Sequence, residues 1–325
     1  MQAWLCETLD GVDALKWKDL PTPEPQAGEV RIAIQAASLN FPDSLTIVGK
    51  YQFKPDLPFV PGSEMAGRID AVGDGVTQLK VGDLVAGISS SGAFATHAVM
   101  PAARVLPLPA DFDLDDASAF AFTYGTSHHA LMDRGRLQPG ETVLVLGAAG
   151  GVGSSAVQIA KAAGARVIAA ASSDEKCAFC TRLGADATLN YSTTPLRDGI
   201  KALTDGKGPD VVYDPVGGDL AEPAFRSIAW RGRYLVIGFA IGAIPSLPLN
   251  LPLLKGADVV GVFWGEFTRR EPRVFQQQMA QLVQWYREGK VRPAIDCKLP
   301  MTELRAAYAR MATRQVQGKV VLVNR

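Results

Sequence analysis

The residues Gly147-Ala148-Ala149-Gly150-Gly151-Val152-Gly153 follow the apolar run Thr142-Val143-Leu144-Val145-Leu146 and open onto Val157, Ile159 and Ala160 at helical spacing. A β-branched run, a glycine-rich turn and a helical pattern in immediate succession constrain this chain more than any other stretch. Glycine removes the Cβ from a tight strand-to-helix turn. A pyrophosphate can then approach the backbone and sit at the positive end of the helix, where N–H groups have no intrahelical acceptor. Such turns also occur as plain packing turns. Here the run Arg166-Val167-Ile168-Ala169-Ala170-Ala171 follows as a second strand, and the context on both sides predicts dinucleotide binding through Ala149, Gly150, Gly151, Val152 and Gly153.

Around this unit the texture of the chain changes twice. The first hundred or so residues read as short strands with turn punctuation: Val30–Ile34 and Gly67–Val72 alternate with period two, and Gly73, Gly75 and Gly82-Asp83 mark turns. Pro21, Pro23 and Pro25 form a rigid extended link. This predicts an irregular, barrel-like β domain. From about Asp115 a helical segment, Ala117 to Arg134, leads into alternating strands and helices, with Asp210–Asp214 and Arg233–Gly238 as nearly continuous apolar runs. Such runs suit buried parallel strands in βαβ units, hence an α/β fold with a doubly wound parallel sheet. Val274, Phe275, Met279, Leu282, Val283 and Tyr286 share one face of a helix that Gly289 stops. Thr302 is placed to cap another, and Lys319–Val323 reads as a strand that rejoins the first domain. The expected division is 1–120 with 266–325 as the β domain and 121–265 as the nucleotide-binding domain.

With 47% hydrophobic residues in 325, the chain can bury a large core and is long for one domain. Lys plus Arg and Asp plus Glu both number 33, so no net field draws in nucleic acid or an anionic membrane, and Pro, Gly or charge interrupts every long apolar stretch. The first residues, Met1–Glu7, read as a strand without a basic leader, which implies a cytoplasmic protein. Four cysteines make no disulfide framework. The Cys177-x-x-Cys180 pair falls in a helical pattern with no second Cys/His pair nearby, so it reads as two small helix residues.

Six segments in order resemble the zinc-free quinone-reductase branch of the medium-chain dehydrogenase/reductase superfamily: Ser38–Asp43, Gly49-Lys50-Tyr51, Pro61–Gly67, Val81–Val85, Gly147–Gly153 and Asp214–Gly218. The resemblance covers nearly the whole chain and implies a Rossmann sheet plus a GroES-like β-barrel domain. Zinc-dependent members place Cys where Asn40 stands, Gly-His-Glu at Gly62-Ser63-Glu64, and a third ligand, usually Cys, near Phe122. Asn, Ser and Phe are not zinc ligands, the structural-zinc cysteines are also missing, and His128-His129 point to opposite sides of a helix, so no metal is expected. Without a Lewis acid to stabilise an alkoxide, the resemblance implies reduction of acceptors that are already electron-poor, quinones or α,β-unsaturated carbonyls. An enoyl-thioester reductase and an NADPH-binding protein without catalysis are the alternatives.

The resemblance also assigns residues. The second strand ends in Ala171-Ser172-Ser173 with no carboxylate at the strand end, and Ser172, Ser173, Lys176 and Tyr191 match positions that hold the 2′-phosphate of NADPH. Asp174 keeps NAD open, and the alternative for Lys176 is a solvated helix face. Asn40 and Tyr51 line the family's active cleft, an apolar pocket between its two domains. Asn40 would bond the nicotinamide ribose or a substrate carbonyl, unless it is only a turn residue before Phe41-Pro42. Tyr51 would donate to a developing enolate, unless it is an ordinary loop aromatic. Thr126, Val216, Gly238, Phe239, Phe263 and Trp264 fall on the nicotinamide side, although aromatics at strand ends are often core. Glu64 matches a position that braces the domain junction. A homodimer joined along the sheet edge near Val259–Phe263 completes the expectation.

Overall fold

The computed structural model describes residues 1–325, which form two compact units: Met1–Phe122 with Ile295–Arg325, and Thr123–Ala294. In chain order the first unit contains β1 (Gln2–Leu5), β2 (Lys16–Asp19), β3 (Glu29–Ser38), α1 (Phe41–Thr46), β4 (Glu64–Val72), β5 (Leu84–Ile88), β6 (His97–Pro101), β7 (Val105–Pro107) and α2 (Leu114–Ser118). The helix α3 (Ala121–His128) leads into the second unit. There follow β8 (Thr142–Leu146), α4 (Gly151–Ala162), β9 (Arg166–Ala171), α5 (Asp174–Arg182), β10 (Ala187–Asn190), α6 (Leu196–Leu203), β11 (Val211–Asp214), α7 (Ala221–Arg226), β12 (Arg233–Val236), α8 (Asn250–Lys255), β13 (Asp258–Gly261), α9 (Trp264–Arg270) and α10 (Pro272–Arg287). The chain closes the first unit with β14 (Ile295–Pro300), α11 (Leu304–Ala312) and β15 (Lys319–Val323).

In the first unit β3 is the organising strand. It pairs antiparallel with β4, with β6 near its start and with β15 near its end, inside a sheet ordered β14-β15-β3-β4-β5-β7. Register shifts at Arg31/Ile32 and Ile34/Ala36 bend the β3–β4 pair, as extra unpaired residues do. Ile32, Met65, Phe94 and Leu322 meet in one buried cluster with Leu304 and Tyr308 of α11. The C-terminal strand thus rejoins the β domain, as expected from the sequence.

The second unit is a six-stranded, all-parallel sheet ordered β10-β9-β8-β11-β12-β13. Val143, Leu144, Val145 and Leu146 are fully buried, as strands covered on both faces require. From β8 the chain winds outward through β9 to β10, then crosses to the other side of β8 to lay down β11. The β8/β11 boundary is therefore the topological switch point, where ligands of such sheets bind beyond the carboxyl ends of the strands.

Three expectations need correction. Residues 266–294 pack with the nucleotide-binding unit, not the β domain: Nε2 of His128 lies 2.9 Å from Oε1 of Gln281 on α10, and Gln158 Nε2 bonds Arg292 O at 2.9 Å. The apolar face of α10 needed a partner, and pattern alone does not name which domain supplies it. The predicted helix 117–134 is three pieces: α2, capped by Asp113 through the N–H groups of Asp115 and Asp116, ends at Ser118, α3 starts at Ala121, and a π-helical turn, His129–Arg134, follows. Thr302 does not cap α11, which starts after a short 3₁₀ turn with no side-chain cap. Cys177 and Cys180 lie buried as free thiols on α5, and burial pushes Cys180 up to about 12. No helix is long and apolar enough to cross a membrane.

Candidate active site

At the switch point the glycine turn is held by its own backbone. Gly147 sits at φ +57, Ala148 N bonds Ala170 O at 3.0 Å, and Gly150 N bonds Gly147 O at 3.0 Å. The first intrahelical bond of α4 runs from Ser154 N to Gly150 O at 2.8 Å, and no side chain caps the helix. The N–H groups of Gly151, Val152 and Gly153 therefore point out of the helix end without intrahelical acceptors. A Cβ on Gly153 would come within 2.3 Å of Gly147 O, and one on Gly147 within 2.7 Å of Val216 Cγ2. Both glycines are required by close approach, and the resulting cradle fits a dinucleotide pyrophosphate.

Val216 belongs to the turn after β11, which Asp214 ties down. Its Oδ1 accepts from the N–H groups of Val216 at 2.8 Å and Gly217 at 2.9 Å, while Oδ2 accepts a short bond from the Tyr234 hydroxyl. Burial, reinforced by Asp214, raises the Tyr234 phenol far above its usual range, so its proton stays in place. Residues 237–241 run alongside, with Ala240 N on Pro215 O and Ile241 N on Val216 O, which brings Gly238 and Phe239 beside Val216. The role of Tyr234 was not legible in sequence, since only the parallel pairing of β11 with β12 brings it to Asp214.

At the end of β9, Ser173 caps α5 by accepting the Lys176 N–H at 3.3 Å. The Lys176 ammonium lies 3.3 Å from the Ser172 hydroxyl. Asp174, the residue that kept NAD open, accepts from the Asn190 amide at 2.7 Å. Tyr191 follows directly after β10, its N–H on Ala171 O at 3.1 Å. Two hydroxyls and one ammonium thus gather at this strand end, with Tyr191 directly after the adjacent strand, a donor set that fits a 2′-phosphate.

Thr126 is buried in α3. Its neighbour Ser127 joins a hydroxyl cluster with Ser155 and Tyr213, both at 2.8 Å, and reaches Val152 O at 3.0 Å. That cluster, absent from the sequence reading, fixes α3 against the first turn of α4. Trp264 is core: its indole packs so tightly on α3 that a Cβ on Gly125 would come within 2.7 Å, and its ring meets Phe275 edge-on at 5.9 Å. Phe263, one residue earlier, is 48% exposed. His128 faces Trp285 and Gln281, whereas His129 stacks on Phe267, so the two imidazoles do face apart.

In the first unit Asn40 stands in a buried polar network. Glu64, fully buried, accepts from the Ser38 hydroxyl at 2.8 Å, the Asn40 amide at 3.2 Å and the Phe122 N–H at 2.8 Å. Its oxygens are occupied in bracing the approach to α3. Lys319, 4% exposed, donates to Asn40 Oδ1 and lies 3.6 Å from Glu64 Oε2. Asp43 accepts the backbone N–H of Asn40 at 2.8 Å. Burial, partly offset by that bond and by the Lys319 charge, pushes Asp43 up to about 6. Burial likewise lowers Lys319, against the pull of Glu64 and Asp43. Tyr51 is half-buried beside Phe53, ring centroids 6.3 Å apart, and its hydroxyl has no hydrogen-bond partner within the protein. Burial first, then the charge of Asp43, raises the Tyr51 phenol, which keeps it a donor. The sequence singled out Asn40 and Tyr51 but marked Lys319 only as the start of a strand.

Two family models match this chain, an alcohol dehydrogenase GroES-like domain over residues 26–110 and a zinc-binding dehydrogenase over residues 151–285. Quinone oxidoreductase-like protein 2 of Mus musculus is 39% identical over 295 residues, 90% of this chain and 84% of that protein. A Pseudomonas aeruginosa quinone oxidoreductase is 34% identical over 315 residues, 96% of each. The chain belongs to the quinone oxidoreductase-like medium-chain dehydrogenases/reductases. Among solved structures, a quinone oxidoreductase of Thermus thermophilus, also described in complex with NADPH, is 34% identical with a TM-score of 0.86 over the full length of both chains. This member of the oxidoreductase family carries no group of three or more His, Cys, Asp or Glu residues placed to hold a metal ion.

Proposed function

We propose that this protein is an NADPH-dependent, zinc-independent reductase of quinones or α,β-unsaturated carbonyls. The observation that carries the reading is the chemistry at Asn40: its amide is bonded to Lys319 and Glu64 where a metal-dependent relative would present a thiolate. Such a site offers hydrogen-bond donors and no Lewis acid, which suits acceptors whose own conjugation stabilises the added electrons.

The N–H groups of Gly151, Val152 and Gly153 would hold the pyrophosphate at the α4 dipole, and Ser172, Ser173, Lys176 and Tyr191 the 2′-phosphate. Thr126, Val216, Gly238, Phe239 and Phe263 would border the nicotinamide. NADPH, when bound, supplies the hydride. The Tyr51 hydroxyl and the Asn40 amide would donate to the acceptor oxygen as it gains negative charge, and solvent supplies the proton that completes the reduction.

NADPH consumption with a panel of quinones, enones, aldehydes and enoyl thioesters tests the reading. Turnover of quinones or enones, surviving exhaustive chelation, is expected. Preference for enoyl thioesters would reassign the acceptor, absence of any turnover would leave a cofactor-binding protein, and zinc-restored activity would overturn metal independence. We also propose a homodimer through the edge strand β13 and the residues just after it, where Val259 and Phe263 are 51% and 48% exposed. Sedimentation showing only monomer at micromolar concentration would overturn it.

A further inference from the structure

Lys319 and Asn40 stand at opposite ends of the chain, yet the backbone clamps them together. β15 pairs antiparallel with the end of β3, Val321 opposite Ser38, and Leu39 N bonds Val320 O at 3.0 Å. This register delivers the Lys319 ammonium to Asn40 Oδ1 inside a region where both residues are almost fully buried. A lysine is rarely buried without a reason beyond packing, since its ammonium must be compensated there.

An asparagine side chain has one acceptor oxygen and two N–H donors. Here the oxygen takes the ammonium of Lys319, and one N–H goes to the Glu64 carboxylate at 3.2 Å. Flipping the amide would set its NH₂ against an ammonium and its oxygen against a carboxylate, two repulsive contacts in place of two attractive ones. The orientation is therefore dictated by charge. The second N–H has no partner within the protein, and it belongs to an amide whose carbonyl is bonded to a cation. Bonds linked in this way polarise one another, which makes the remaining N–H a stronger donor.

We propose that Lys319 is a positioning residue of the reduction: it orients and polarises the Asn40 amide so that Asn40 presents an N–H, not its carbonyl, to the acceptor oxygen that gains negative charge. The proposal rests on the reductase reading above. The positive charge that other members take from a metal here acts at one remove, through an amide.

A merely structural Lys319, serving as counter-ion to Glu64, makes a different prediction, and a double-mutant cycle separates the two. Lys319→Met should lower kcat about tenfold, a fraction of what losing a whole transition-state donor does, at unchanged NADPH affinity. Lys319→Arg should recover most of that loss. In an Asn40→Ala background, Lys319→Met should lower kcat no further. Equal losses in both backgrounds, or an unchanged kcat in Lys319→Met, would overturn the proposal. Should Lys319→Met fail to fold around the unpaired Glu64, Lys319→Met/Glu64→Gln compared with Glu64→Gln removes the stranded charge and carries the same expectation. The side-chain amide NMR signal of Asn40, assigned by its disappearance in Asn40→Ala, gives a readout independent of turnover. It should move in Lys319→Met, and an unmoved signal would refute the polarised amide. If the wild type reduces no acceptor, the reductase reading fails and the catalytic part of the proposal with it, while a moved signal still upholds the oriented amide.

Discussion

In the second unit the proposed ligand contacts at the switch point are backbone N–H groups of three consecutive residues, 151 to 153, left uncapped at the helix start. In the first unit the proposed donors are side-chain atoms of Asn40 and Tyr51, with Asn40 held by Glu64 and Lys319 from strands far apart in sequence. The backbone cradle carries no titratable group and depends on what is missing, a Cβ at Gly147 and Gly153. The side-chain network depends on residue identity and on compensation among buried charges. A backbone site is therefore broken by adding one methyl group, and a side-chain site by removing one polar atom.

The largest effect should come from the cradle. Gly153→Ala drives a Cβ to 2.3 Å from Gly147 O and 2.8 Å from Ala148 Cα, both backbone atoms that cannot turn aside. Loss of measurable NADPH binding is expected by fluorescence titration, and a near-wild-type affinity would remove the turn from the site. Next comes Tyr51→Phe, which keeps the ring and removes one donor. It should lower enone turnover by about two to three decades, as loss of a single transition-state donor does, with NADPH affinity nearly unchanged. Quinone turnover should fall less, because a hydroquinone anion is stabilised by its own ring. If the variant keeps wild-type rates with both substrates, Tyr51 is only a wall.

Asp43→Asn tests the buried charges of the first unit. Its carboxyl titrates at about 6 in the folded protein against an ordinary 3.8, so the native state holds a proton that the unfolded chain has already released. Wild-type stability therefore falls as pH climbs through that interval and stays reduced above it. The amide escapes this, and denaturant midpoints should show the variant gaining about 2–3 kcal/mol on the wild type between about pH 4 and about pH 7.5. Parallel pH curves would show that Asp43 is solvated or better compensated than its contacts indicate. The smallest effect is in the second unit, where Lys176→Ala should weaken NADPH by about one to two decades and leave NADH nearly untouched. Equal affinity of the wild type for both nucleotides would undo the assignment.

The two sites were unequally legible. Strand, glycine turn and helix lie within one local stretch, and their chemistry follows from backbone geometry, so Ala149–Gly153 and the strand end at Ser172-Ser173 could be read directly. Trp264 misled in part because an aromatic at a strand end looks the same whether it faces a ligand or packs on Gly125. Residues 266–294 were placed with the wrong unit for a related reason, an apolar helix face that does not name its partner. Lys319 carried no signal at all, since one lysine opening a strand of Val-Val-Leu-Val resembles any exposed strand end.

What the sequence determined by itself was the local and periodic content: the α/β alternation, the β domain before it, the C-terminal strand's return, and the dinucleotide turn. These depend on propensities and spacings within some twenty residues, where chain connectivity does the positioning. Tertiary structure alone decided that Lys319 meets Asn40 across β15 and β3, that Tyr234 meets Asp214, and that α10 joins the nucleotide-binding unit. Those contacts bridge residues tens to hundreds of positions apart, and only strand register and packing convert such separations into hydrogen bonds.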